Sequence, residues 1–296
     1  MGGACDYSQI TMNWFAKWNS LWPFTVNVSG KKVNLINSIG NIVAPNADCV
    51  NPFGITISTK KHSCARIIRY APYNFFYDFH KSNLGVFLTL ECKEFDVFVD
   101  VGANLGGYSF MAKRLGLHVF AFEPFPEIAA FLSENSSAFG KIYPIALSNQ
   151  NGELTFHISD TNIGGSSLVE SNLNDAESGY TRRTSVEVSR GDEVLREVEF
   201  IRLLKIDVEG NEENTIKGFQ GLLEQNKIQS IWCEVRGPKS DRNPNSYLAV
   251  TSYLEQFGFK PTVYSHIGRL SLQEFESKGE LPQFFDLLYE KTSNRV

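Results

Sequence analysis

Lys205, Asp207, Glu209 and Glu212 put four ionisable groups within eight residues, directly behind the apolar run that begins at Ile201. Alternation along a strand sends Lys205, Asp207 and Glu209 to one side for as long as the strand persists. A plain core strand has no use for such a set, so the competing explanations are structural ion pairs or a reaction site. A carboxylate at a strand end can take the proton of a hydroxyl or orient it for attack, and a nearby ammonium can set that carboxylate's charge or hold a substrate. Asp207 is the candidate base, Lys205 its partner and Glu209 an alternative. Glu234, Glu212 and His157 are candidate substrate contacts; His157 lies beside a long polar stretch and is a further candidate base.

A second constellation runs from Asp96 to Ser109. The run Asp96-Val97-Phe98-Val99-Asp100-Val101 ends in a carboxylate, and Gly102-Ala103-Asn104-Leu105-Gly106-Gly107 then turns into the helix-like Tyr108-Ser109. In an open parallel sheet, ligands bind beyond the carboxyl ends of the strands, and glycines let them approach the backbone. A dinucleotide needs GxGxxG so that its pyrophosphate can sit on the helix N-terminus. Here Asn104 occupies the second glycine position, and Asp100 would repel a pyrophosphate. The same carboxylate suits a ligand with an amine and a sulfonium, which is the chemistry of S-adenosylmethionine. Glu123, 21 residues after Gly102, follows the next strand-like run and can accept both hydroxyls of a ribose. The expected cofactor contacts here are Asp100, Gly102, Ala103, Asn104, Gly106, Tyr108, Ser109 and Glu123.

The elements that must position these groups alternate. Phe98–Val101, His118–Phe122, Lys141–Leu147, Ile201–Val208 and Ser230–Val235 read as strands; Tyr108–Leu115, Pro126–Asn135, Glu212–Gln225 and Tyr247–Phe257 read as helices. Such alternation implies βαβ units and a parallel sheet. Glu153–Ile158 and Thr184–Ser189 read as two further strands around a long polar stretch, Ser159–Arg183. Lys260–Tyr264 and Phe285–Tyr289 read as a closing pair.

The ordered set Asp100-Val-Gly-Ala-Asn-Leu-Gly106, Phe122-Glu123-Pro124, Ala146-Leu147-Ser148, Gly165-Ser166-Ser167 and Lys205-Ile-Asp207-Val-Glu209-Gly210-x-Glu212 resembles the FkbM family of methyltransferases. The resemblance spans roughly residues 90–260. It implies a class I, Rossmann-like α/β fold, with a seven-stranded, mostly parallel sheet, one antiparallel strand and helices on both faces. It also implies S-adenosylmethionine as cofactor, with Pro124 and Ala146 joining its contacts, and O-methylation of a sugar, glycan or glycosylated natural product. The family's Thr-Leu-Asp-like element is looser here, at Val188–Asp192, and leaves the role of Asp192 open.

Composition bounds the rest. An apolar fraction of 42% and a charged fraction of 21% over 296 residues suit a chain with one large core. No apolar stretch is long enough to span a membrane, and no secretory signal or lipidation motif is read: Asp6 stands where a myristoylation site wants Ser or Thr. Five scattered cysteines without a CxxC fit a reducing cytoplasm, the expected location. Net charge of −5 argues against nucleic acid as a partner. The charge is uneven, since residues 1–70 carry seven Lys/Arg against two Asp/Glu, with Lys60, Lys61, Arg66 and Arg69 the densest group. Such a cluster is either a solvated face or a contact for a small-molecule or glycan acceptor that bears a phosphate. The expected division is an irregular or β-rich N-terminal extension over 1–80, a candidate substrate contact, and a methyltransferase domain over 81–296. The aromatic run Tyr70–His80 either docks on the sheet or covers a ligand. The acids could also ligate a divalent cation, but no spacing defines such a site and no metal is assigned. A nicotinamide-dependent oxidoreductase and a non-catalytic S-adenosylmethionine- or carbohydrate-binding protein are the alternative functions.

Overall fold

The computed structural model describes residues 55–57, 79, 82–159, 163–170, 179–265 and 268–291, and upstream the backbone of β1 (Thr25–Val28), β2 (Lys31–Asn34) and β3 (Cys49–Val50). The cluster Lys60, Lys61, Arg66 and Arg69, and the aromatic run apart from Phe79, lie outside the described residues, as do Cys5 and Cys64.

The central sheet has eight strands. They are β5 (Val97–Val101), β6 (His118–Phe122), β7 (Lys141–Tyr143), β11 (Ile201–Ile206), β12 (Ile228–Arg236), β13 (Phe259–Ser265), β14 (Gly268–Ser271) and β15 (Phe284–Lys291). Their order is β14-β13-β15-β12-β11-β5-β6-β7. Strands β7, β6, β5, β11 and β12 run parallel, while β15 is antiparallel to both β12 and β13. The seven strands from β13 to β7 are the expected class I arrangement with one reversed strand, β15; β14 extends the edge. A smaller sheet, in the order β8-β10-β9, holds β8 (Ala146–Leu147), β9 (Gly152–Ile158) and β10 (Arg182–Ser189).

Alternation along the central strands feeds two cores. Phe98, Leu203, Trp232 and Leu288 face one way and pack with Phe87 of α1 (Asn83–Glu91). Val99, Leu204, Cys233 and Leu287 face the other way. Strands buried on both faces read as near-continuous apolar runs, so the ionisable Asp100 and Lys205 stand out on β5 and β11. Helix α2 (Gly107–Arg114) follows β5, and α3 (Pro126–Glu134) follows β6 with Pro126 in its first turn, where no N–H is needed. Asn135, just before α4 (Ser136–Phe139), ties the upstream strand β4 (Thr56–Ile57) to the core: it accepts from the Thr56 N–H at 2.6 Å and donates to the Thr56 carbonyl at 2.9 Å.

Two expected elements differ. Lys141–Leu147 is not one strand: Pro144 has no N–H to give a ladder, and Ala146–Leu147 pair instead with β10. Glu212–Gln225 is two helices, with α5 (Gly191–Val194) ahead of them in the chain, α6 (Glu212–Lys217) and α7 (Gln220–Glu224). The break falls at Gly218, where a β-carbon would lie 2.1 Å from the Ser148 carbonyl oxygen. Asp192 accepts from the Gly221 and Leu222 N–H groups, both at 3.0 Å, and so caps the start of α7. Helix α8 (Ser246–Glu255) and the short α9 (Leu272–Glu276) complete the domain.

Candidate active site

Beyond the carboxyl ends of β5, β6 and β11 lies a small recess of about 60 Å³. Its polar wall includes Gly102, Asn104, Glu123, Asp207 and Glu209; Ile128, Ile145, Ala146 and Phe156 supply apolar wall, and Pro124 lies beside Glu123. Gly102, Asn104 and Gly106 all take positive φ, at 76°, 49° and 79°. At Gly102 no other residue fits, because a β-carbon would sit 1.8 Å from the Asp207 carbonyl oxygen. That contact seats the glycine turn directly on the end of β11. The Gly102 and Ala103 N–H groups both donate to the Phe122 carbonyl at 3.0 Å, locking the turn to β6 as well.

Glu123 is 5% exposed. Its Oε2 accepts from the Asn104 N–H at 2.7 Å and its Oε1 from the Phe125 N–H at 2.8 Å. Each oxygen keeps a second lone pair for a ligand. Burial pushes the carboxyl up to about 7, against the opposing pull of those two donors and of Lys205.

Asp100 stands behind the wall rather than on it. It is fully buried: Oδ2 accepts from the Ser109 hydroxyl at 2.7 Å, and Oδ1 lies 3.1 Å from the Lys205 ammonium. Lys205 also donates to the Gly102 carbonyl at 2.8 Å and sits 3.5 Å from Asp207. Burial disfavours its charge, but Asp100 and Asp207 more than compensate and hold its pKa above the ordinary lysine value. One ammonium therefore links the glycine turn, the buried acid and the exposed acid. Ala103, Gly106, Tyr108 and Ser109 likewise stand behind the cavity wall. Tyr108 packs edge-on against Phe79 at 4.8 Å and donates to the Ser82 hydroxyl at 3.1 Å, and burial pushes its phenol up to about 12.

On the other side of Asp207 the sheet presents acids from three strands. One carboxylate oxygen from each of Asp207, Glu209 and Glu234 lies within 4.8 Å of the others. Arg236 bonds Glu209 and lies 3.5 Å from Glu234; Arg242 lies 3.5 Å from Glu209 and donates to the Gly165 carbonyl at 2.9 Å. Glu209 takes φ 57°, which bends the chain away after the strand. Burial and then Asp207 raise the Glu209 pKa, while the two arginines oppose. Burial, Asp207 and Glu209 push Glu234 up to about 9, so it carries a proton at neutral pH. Asp286 is the fourth acid: it stands opposite Glu234 in the β12–β15 register, and burial and Asp207 push it up to about 6.

Two expected contacts are placed elsewhere. Glu212 is fully buried at the start of α6, accepts from the Gly210 N–H at 2.7 Å and is pushed by burial up to about 7. His157 is 6% exposed on β9 and packs its ring 5.1 Å from that of Tyr180, away from the recess wall. Arg236, Arg242 and Asp286 were not anticipated. Arg236 was within reach of sequence reasoning, lying two residues past Glu234 on one strand face. Arg242 and Asp286 were not, since only the chain's return brings them here.

The Methyltransferase FkbM domain model matches residues 100–261, which hold the glycine turn, Glu123 and the acids of β11 and β12. Hexuronic acid methyltransferase AglP of Haloferax volcanii is 34% identical over 139 residues, 45% of this chain; the chain spans about half, 54%, of that relative. Among solved structures, magnesium protoporphyrin IX methyltransferase of Synechocystis PCC 6803, with bound SAM, aligns over 99% of this chain and 100% of its own at 9% identity and a TM-score of 0.37. Aeropyrum pernix fibrillarin, with natively bound S-adenosyl-L-methionine, aligns over 67% of each chain at 12% identity and a TM-score of 0.37. With its motifs in order along a mostly parallel sheet and a family model covering more than half its length, the chain belongs to the FkbM methyltransferase family.

Proposed function

We propose that this methyltransferase moves a methyl group from S-adenosylmethionine to a hydroxyl of a sugar, glycan or glycosylated product. One observation carries the reading: a part-apolar recess has Glu123 on one wall and opens, at Asp207, onto a second set of acids. The residues fit the donor. Apolar walls at Ile128, Ile145 and Phe156 suit a flat base, the free lone pairs of Glu123 suit a ribose diol, and Asp207 suits a cationic end. When bound, the donor supplies an electrophilic methyl on a positively charged sulfur.

The protein's own residues do the rest. Glu123 and the Gly102–Gly106 turn hold the nucleoside. Lys205, fixed by Asp100 and the Gly102 carbonyl, sets the position of Asp207. Asp207 orients the acceptor hydroxyl, with Glu209 in support. Alignment of acceptor and donor can supply about 7–11 kcal/mol in ideal cases, so rigid placement of Asp207 matters more than its basicity. Protonated Glu234 can donate a hydrogen bond to a second acceptor oxygen. The basic N-terminal region, with its excess of Lys and Arg, is assigned to acceptor contact, which favours an acceptor bearing phosphate. The hexuronic acid in the relative's name supports a sugar acceptor.

The test is transfer of labelled methyl from S-adenosylmethionine to a panel of neutral, uronic and phosphate-bearing sugars. Transfer to at least one, lost in Asp207→Asn, is the expected result. Tight binding of a nicotinamide cofactor and none of S-adenosylhomocysteine would overturn the reading.

A further inference from the structure

Asp286 has the placement of a reacting group. Strand register sets Asp100 beside Lys205, Lys205 beside Trp232, and Trp232 beside Leu288. Two residues farther toward the crevice, the same sheet face presents Asp207, Glu234 and Asp286 side by side. The Asp207 N–H continues the ladder to the Val101 carbonyl at 3.1 Å, so this row is an extension of the sheet.

The three acids in the row are not equivalent. Asp207 has Lys205 at 3.5 Å, and Glu234 has Arg236 at 3.5 Å. Asp286 has no Lys or Arg at ion-pair distance among the described residues; the indole N–H of Trp232 is its hydrogen-bond donor. It is accessible to solvent and yet ringed by charged and phenolic groups: Lys205 and Asp207 of β11, Glu234 of β12 and Tyr108 of α2. An accessible carboxylate among these groups, held by one donor and with no cation at ion-pair distance, can take a proton. Asp207 is held by Lys205, and Glu234, pushed up to about 9, already carries a proton at neutral pH.

We propose that Asp286 is the carboxylate that receives the proton of the acceptor hydroxyl, with Asp207 orienting that hydroxyl. The inference rests on the methyl-transfer reading above. In the balanced step the acceptor oxygen bonds the methyl carbon. The carbon–sulfur bond breaks with its pair on sulfur, and the hydroxyl proton passes to Asp286. Desolvation by the side chains crowded round it, and the charge of Asp207, raise this carboxyl to about 6, near the basicity that proton transfer at neutral pH favours.

The test needs no acceptor. Sinefungin carries an amine where the donor carries its transferable methyl, whereas S-adenosylhomocysteine carries nothing there. Calorimetric titration of wild type, Asp286→Asn and Asp286→Ser with both ligands compares the two. The expected result is a preference for sinefungin in wild type that drops about tenfold in both variants, with S-adenosylhomocysteine affinity unchanged. The same preference should decline in wild type as pH falls through about 6, and the declining part should be missing from the variants. Retention of the full preference in variants that bind S-adenosylhomocysteine normally would overturn the assignment. Failure of folded wild type to bind either ligand would instead overturn the methyl-transfer reading, and the inference with it.

Discussion

The two halves of the crevice solve opposite electrostatic problems. On the β5–β6 side a single carboxylate, Glu123, meets the recess among backbone N–H groups contributed by residues near it in the chain. On the β11–β12–β15 side Asp207, Glu209, Glu234 and Asp286 crowd together and are balanced by Lys205, Arg236 and Arg242 from separate strands and loops. The first half is made by backbone geometry, which glycines and one acid can encode in a short motif. The second is made by opposed charges and exists only while each has its partner.

The contrast breaks most sharply at Lys205, the ammonium shared by both halves. Lys205→Met leaves Asp100 buried with no cation, and removing one partner of such a pair costs about 3–5 kcal/mol. Asp100→Asn/Lys205→Met should recover much of that loss, since no buried charge is then stranded. Urea denaturation of the single and double variants measures both. A single variant as stable as wild type would mean that the two halves are not coupled through this pair.

Glu123 gives the next largest effect, and it sharpens the contrast by testing whether one acid serves the whole β5–β6 half. Glu123→Ala should weaken S-adenosylhomocysteine about a hundredfold, for two hydrogen bonds to a charged acceptor, and lower the melting temperature, because the Asn104 and Phe125 N–H groups lose their acceptor. The sign of the pH dependence follows from its raised pKa. A ligand whose hydroxyls donate to Glu123 selects the carboxylate, and that form is depleted as pH falls below about 7. Affinity should therefore fall on acidification, approaching about tenfold per pH unit, and the Ala variant should lack this slope. Calorimetry between pH 5 and 8 decides it.

The smallest effect is expected from chelation. Asp207, Glu209 and Glu234 have the mutual spacing of cation ligands, but Arg236 already bonds Glu209 and stands beside Glu234. Excess EDTA should leave both ligand binding and methyl transfer unchanged. A loss restored by magnesium would show that the arginines yield to a metal.

The β5–β6 half was the more legible in the residues. Its turn is contiguous, Asn104 in place of a glycine separated it from a dinucleotide turn, and Glu123 follows one βαβ unit later. What the residues misplaced was depth. Asp100 was read as a ligand contact, whereas it stands behind the wall and spends both oxygens on Ser109 and Lys205. Spacing along a strand tells which face a side chain takes; it does not tell whether another side chain will reach across from the next strand to cover it.

The amino-acid sequence by itself determined the parallel α/β sheet, the glycine turn with its acid, and the charged end of β11. Each is set by local periodicity or by backbone conformations that few residues can adopt. Only the tertiary structure decided that Glu212 and His157 sit away from the recess wall and that Arg236 and Arg242 neutralise Glu209. It alone decided that Asp286, from the reversed strand β15, joins Asp207 and Glu234 in one row. The reason is physical: a strand's partner is chosen by whole-sheet packing between segments far apart in the chain. The charge environment at a strand end belongs to that partner as much as to the strand.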